Sequence, residues 1–160
     1  MISVRKIASY LCARYLHEFG RPIDEMKLHK LLYFAQRECI IQKGEPMFPE
    51  QFYAWKYGPV MVSIRQGFKQ GKMQDMPSEE EIVAYQMVFD SIFKQYAPKS
   101  SMSLSTLSHG EYSWRHARGE SMPDGHCDAL LDVDDIRVDA ERVKIRRFLL
   151  GSLNKMSTTL

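Results

Sequence analysis

The sequence predicts a mainly α-helical fold, a single-domain bundle of five to six helices with one short extended or β segment near residues 48–57. Three observations carry this. Apolar residues recur at i, i+3, i+4 spacing in several separate stretches. Serine or aspartate precedes these stretches and glycine follows them, where helix ends need partners for their unpaired amides and carbonyls. One interval, residues 44–59, gathers Pro46, Pro49, Gly58 and Pro59 among the aromatics Phe48, Phe52, Tyr53, Trp55 and Tyr57, and those prolines and glycines forbid a continuous helix.

Along the chain, Val4, Ile7, Ala8, Leu11, Cys12, Tyr15 and Phe19 share one helical face, with Ser3 as cap and Gly20 as stop. After a Gly20-Arg21-Pro22 break, Asp24 caps a second helix whose apolar stripe is Leu28, Leu31, Leu32, Ala35 and Cys39 and which ends at Gly44. The short connection predicts that the two pack antiparallel. Residues 51–55 read as extended. Pro59 suits the first turn of a third helix carrying Val60, Met61, Ile64 and Phe68.

Ser78-Glu79-Glu80-Glu81 has the form of a capping box and opens a helix with Ile82, Tyr85, Phe89, Ile92, Phe93 and Tyr96 on one face. A short helix follows around Leu104 and Leu107, then a turn at His109 and Gly110 into another helical turn. Pro123, Asp124 and Gly125 mark a loop. The last helix starts near Asp139 and presents Val143, Ile145, Phe148, Leu149 and Leu153. The domain then spans residues 1–155, with residues 156–160 as a fraying tail.

Composition narrows the function. With 160 residues, 44% of them hydrophobic, the chain can close one core without a disulfide or a metal. Its net charge of +2 is too small to draw a polyanion without a local patch. Cys12, Cys39 and Cys127 are far apart and form no CxxC pair, which points to a reducing cytoplasmic setting. No apolar run approaches a membrane span. Arg14, His17 and Glu18 interrupt the apolar stretch behind Arg5 and Lys6, so that stretch reads as a helix and not a leader.

No residue set points to catalysis, so the chain is expected not to be an enzyme and to need no cofactor. Neither HExxH, a calcium loop nor a glycine-rich phosphate loop is present. Asp132, Asp134, Asp135 and Asp139 read as a solvated helix start. His109 and Glu111 are expected to hydrogen-bond and fix the turn before Trp114, since a buried imidazole needs partners. Arg142, Lys144, Arg146 and Arg147 alternate with Val143 and Phe148, which reads as the wet face of an amphipathic helix. The alternative use of those four is to neutralise nucleic-acid phosphates.

Three ordered blocks carry a family resemblance. Lys27-Leu28-His29-Lys30-Leu31-Leu32-Tyr33-Phe34-Ala35-Gln36, followed by Gly44-Glu45-Pro46-Met47-Phe48, resembles the KLQKLLYYAQ and GEPLF of the Panacea (SocA-like) antitoxin family. Ala54-Trp55-Lys56-Tyr57-Gly58-Pro59-Val60 is similar to its AWxYGPV, and residues 107–118, with His109, Glu111, Trp114 and Arg115, to its LTHxExPWxxAR. The chain departs from that pattern at His29, Val62, Arg65, Ser108 and Ser113.

The resemblance implies an antitoxin of bacterial or phage-associated toxin-antitoxin pairs. It further implies that the cognate toxin is encoded next door, that a proteolytic adaptor role towards ClpXP accompanies some members, and that partner choice lies in surface residues.

The residues themselves agree in kind, because aromatics and arginine supply large contact area at low entropic cost. Tyr53, Lys56, Tyr57 and Arg65 are the expected partner contacts. Trp55 and Trp114 are expected to fill the core, with Gly58 and Pro59 shaping a bend.

Overall fold

Helix α2 (Glu25–Lys43) is the axis of the protein in the computed structural model, which describes residues 1–119 and 125–158. Around it lie α1 (Val4–Phe19), a hairpin of β1 (Tyr53–Trp55) and β2 (Gly58–Val60), α3 (Val62–Lys69), α4 (Glu79–Ala84), α5 (Gln86–Gln95), α6 (Ser101–His109), α7 (Tyr112–Arg118) and α8 (Val133–Thr158). The fold is mainly helical as the sequence predicts, with eight helices among the described residues against the five to six expected. Helices α1, α3, α5, α6 and α8 and strand β2 all pack on α2, and residues 27–40 are buried without interruption.

Helix ends formed where local chemistry asks for them. The Ser3 hydroxyl accepts from Arg5 N at 3.3 Å and the Asp24 carboxylate from Lys27 N at 2.8 Å. Gly20 and Gly44 close the two helices. The Ile2 amide reaches Met47 O at 2.9 Å, so α1 starts where α2 ends and the pair is antiparallel. In the capping box Ser78 N donates to Glu81 Oε2 at 2.8 Å, and Glu81 N donates to Ser78 Oγ at 3.2 Å.

The structure differs from the sequence reading in three places. Pro59 does not open a helix: it lies in β2, paired antiparallel with β1 in the register Tyr53 to Val60, Ala54 to Pro59 and Trp55 to Gly58. Two side chains of α2 hold this stretch extended, because Lys30 Nζ donates to Pro59 O at 3.1 Å and Met61 N donates to His29 Nδ1 at 3.3 Å. Helix α3 therefore waits until Val62. On the other edge of β1, Ala54 N donates to Ala129 O and Leu131 N to Phe52 O, both at 2.8 Å.

The helix expected after Ser78 is broken at Tyr85 (φ −114°, ψ 13°) into α4 and α5. The break lets the two halves serve different neighbours, since Glu81 of α4 pairs with Lys6 of α1 while α5 packs on α2. Finally, α8 begins at Val133, not near Asp139, and runs to Thr158. Pro123 and Asp124 of the expected loop, and residues 159–160 of the expected tail, lie outside the described residues.

Gly58 is where the hairpin meets α2 most closely. Its φ of +107° lies in the region L side chains avoid, and a Cβ there would stand 2.5 Å from Lys30 Cε. Gly58→Ala is expected to destabilise the fold by roughly 2 kcal/mol or more, read as a lower urea-unfolding midpoint; an unchanged midpoint would show that the hairpin is not fixed against α2.

Candidate functional site

A helix buried along its whole middle must find partners for its polar side chains, because an unsatisfied buried group costs about 1–3 kcal/mol. In α2 these residues between them reach several of the surrounding elements. Lys27 Nζ donates to Tyr15 Oη at 3.0 Å and Ala97 O at 3.2 Å. The Gln36 amide donates to Phe48 O at 2.8 Å and accepts from Met47 N at 2.7 Å. Arg37 donates to Glu111 Oε1 and Tyr96 Oη, each at 2.5 Å.

Tyr33 Oη bonds Glu111, Ser113 and Asp139 at 3.0, 2.9 and 3.1 Å. Burial, reinforced by the two carboxylates, keeps its hydroxyl well above the usual tyrosine range. Burial also raises the pKa of Glu111, against the pull of Arg37. Leu31 and Leu32 complete the core beside these groups. The family-like helix is thus internal wiring.

The same helix floors a cleft. This cleft, of about 580 Å³, lies between the first turns of α2, the β1–β2 turn and α3, with Gly125 and His126 at its mouth. His29 and Lys30 line it from below, and Trp55, Lys56, Tyr57 and Arg65 from the sides. Burial, with Lys30 and Arg65 near, pushes the His29 pKa down to about 3, so the ring is neutral. Its Nδ1 accepts from Met61 N, which places the proton on Nε2. Burial pushes Lys30 down to about 7, partly offset by Asp24.

Around the rim, Arg65 donates to Glu25 Oε1 at 2.8 Å and lies 5.6 Å over the Trp55 ring. Lys56 Nζ stands 5.3 Å from the centre of the Tyr57 ring, and Tyr57 is 51% exposed. The arrangement offers flat aromatic area edged by cations, the composition that dominates protein-protein contacts. Among the described residues no serine, threonine or cysteine lines the cleft, and no three His, Cys, Asp or Glu side chains converge on a common point.

Three of the four expected contacts, Lys56, Tyr57 and Arg65, therefore share one surface. Tyr53 does not: it is half-buried and bridges to Leu130. Trp114 fills the core as expected, donating to Trp55 O at 2.9 Å. Trp55 does not; it is half-exposed and donates to Asp128 Oδ1 at 3.2 Å.

His109 and Glu111 form no hydrogen bond with each other. His109 stacks on Trp114 with 4.3 Å between ring centres, whereas Glu111 faces Arg37 and Tyr33, and neither lines this cleft. Arg115 is exposed. Asp139 is buried and not solvated, accepting from Tyr112 N and Ser113 N at 2.7 and 2.9 Å to close the start of α7.

The basic residues of α8 divide. Arg147 makes a two-pronged pair with Glu38, 2.9 Å to each oxygen. Burial raises the Glu38 pKa, but the hydrogen bonds from Arg147 and Gln42 outweigh it and hold the carboxylate below its usual range. Arg142 lies 5.2 Å over Tyr112, and Lys144 and Arg146 are exposed. Among the described residues no helix is long and apolar enough to cross a membrane.

A buried polar helix flooring an aromatic and cationic cleft, set in a mainly helical fold with one short hairpin, defines the class. The chain belongs to the antitoxin SocA-like, Panacea domain family, whose model matches residues 28–115, more than half of its length and both walls of the hairpin. It is similar to Antitoxin SocA of Caulobacter vibrioides (strain NA1000 / CB15N), with 49% identity over 39 residues; that stretch covers 24% of this chain and only 21% of that protein. No solved structure matches the chain.

Lys30 supplies a test of the cleft floor. The unfolded chain holds a proton on this amine up to about pH 10.5, but the folded chain releases it near pH 7. Stability should therefore rise with pH between those values. Lys30→Met is expected to remove this rise, shifting the stability difference in favour of the wild type by on the order of 3 kcal/mol between pH 7 and pH 10. A difference independent of pH in urea unfolding would mean that the amine keeps its ordinary pKa.

Proposed function

We propose that this protein is an antitoxin that neutralises a toxin by direct contact through the cleft, as a binder and not as an enzyme. The observation that carries the reading is the convergence of Trp55, Lys56, Tyr57 and Arg65 on one concave surface in a chain of an antitoxin-like family. The backbone that carries Trp55 and Tyr57 is held from behind, Trp55 O by Trp114 Nε1 at 2.9 Å and Tyr57 O by Ser105 Oγ at 2.7 Å, so the hairpin needs little ordering when a partner arrives. Preorganisation of that kind lowers the entropic cost of association.

The partner is then a toxin, most simply the product of an adjacent gene. Delivery of the bound toxin to the ClpXP protease is a finer form of the same proposal. It separates from simple obstruction by whether the toxin disappears, or merely loses activity, in cells with and without ClpXP.

Co-expression with the product of the adjacent gene tests the proposal. That product is expected to arrest growth alone and to co-purify with this chain when both are made. Tyr57→Ala combined with Arg65→Ala is expected to weaken the complex about tenfold or more, with unchanged circular dichroism. A harmless neighbour, or full rescue by the double variant, would contradict the cleft as the toxin contact.

A further inference from the structure

The second half of α8 carries an apolar face that the domain leaves in water. The helix is about 39 Å long at 1.5 Å per residue, and its inward stripe consists of Ile136, Asp139, Ala140, Val143 and Arg147. Past Arg147 it continues about 16 Å further, and only Ser152 is even half-buried there. Ile145, just before Arg147, and Phe148, Leu149, Leu153 and Met156 beyond it recur at three- and four-residue spacing. Phe148 is 73% exposed, Leu153 59% and Met156 68%.

The direction of this stripe follows from helix geometry. Ile145 and Leu149 each stand two positions after an inward-facing residue, Val143 and Arg147, and hence about 200° round the helix. The stripe points away from the body, so the domain cannot cover it by a small adjustment. A continuous exposed apolar face of this kind marks a contact surface.

Charge decides what the face accepts. Residues 142–158 include Arg142, Lys144, Arg146 and Lys155, besides Arg147, which is turned inward and paired with Glu38, and not one aspartate or glutamate. A second copy laid antiparallel on the first would set these cations against one another. A nucleic acid would use the cations and leave Phe148, Leu149 and Leu153 in water. We propose that the outer face of α8 docks an amphipathic helix of a partner protein, one whose own apolar stripe is flanked by aspartate or glutamate.

This rests on the reading of the chain as a protein binder, but it uses a different surface from the cleft. The docking face also lies outside residues 28–115, which the family model matches. A partner helix of about three turns, anchored at i, i+3 or i+4 and i+7, matches the length of the stripe.

The test uses the full chain and a synthetic helical peptide of about 18 residues, with leucines on one stripe and glutamates beside it. Its counterpart carries lysines in place of the glutamates. Titration calorimetry is expected to show binding of the glutamate peptide that weakens as salt rises, and no binding of the lysine peptide. Phe148→Glu with Leu153→Glu, both exposed, is expected to weaken binding about tenfold or more with unchanged circular dichroism.

Equal binding of both peptides, or of neither, would overturn the proposal. So would binding to phosphatidylglycerol vesicles or to duplex DNA in preference to the glutamate peptide, or a dimer that dissociates on the double substitution. A chain that binds the glutamate peptide but never co-purifies with a toxin would uphold the docking face while the antitoxin proposal fell. Toxin binding without peptide binding would do the reverse.

Discussion

The burial of α2 on all sides is the constraint from which the rest of the structure follows. A helix in that position cannot leave Lys27, His29, Lys30, Tyr33, Gln36, Arg37 and Glu38 to water, so each must be answered by a group on a surrounding element. The partners come from α1, the hairpin, the turn after α2, α5, α7 and α8 in turn. A shift of α2 by one residue would unpair them together. Apolar packing alone would tolerate many arrangements, whereas this polar set admits one.

That internal commitment separates structure from recognition. The family-like helix spends its polar side chains inside the molecule, and the two contact surfaces proposed above, the cleft over His29 and Lys30 and the far end of α8, lie on its outside. The two are connected through α2, since Lys30 supports the hairpin from one end while Glu38 anchors α8 by Arg147 from the other. His29 and Arg65, where the chain departs from the family pattern, both line the cleft. Under the proposed function, change at this cleft on a fixed interior would alter the partner without altering the fold.

What could be read from the sequence was local. Ser3, Asp24, Ser78 and Gly44 act within a turn of their own helices, so their roles were visible in the order of residues. The second strand was not, because Lys30 and His29 hold it from about thirty positions earlier. Tyr85 breaks a helix without glycine or proline, to satisfy neighbours on two sides. Asp139 looked like one more acidic residue at a helix start, and only the approach of α7 gives it two amides to cap.

Of the candidate site, Lys56, Tyr57 and Arg65 were legible as an aromatic and cationic cluster near a bend. The burial of Trp114 against the exposure of Trp55 was not, since it depends on which side of the hairpin α7 covers. The apolar positions of late α8 were visible, but periodicity alone does not tell an inward stripe from an outward one.

Native-state hydrogen exchange reads the burial of α2 residue by residue. If the polar and apolar partners of α2 form one cooperative unit, amides in residues 28–40 should exchange only through global unfolding, with residues 148–158 exchanging far faster. Exchange of α2 through a local opening, at lower free energy than α5, would show that α2 is not the element on which the others depend.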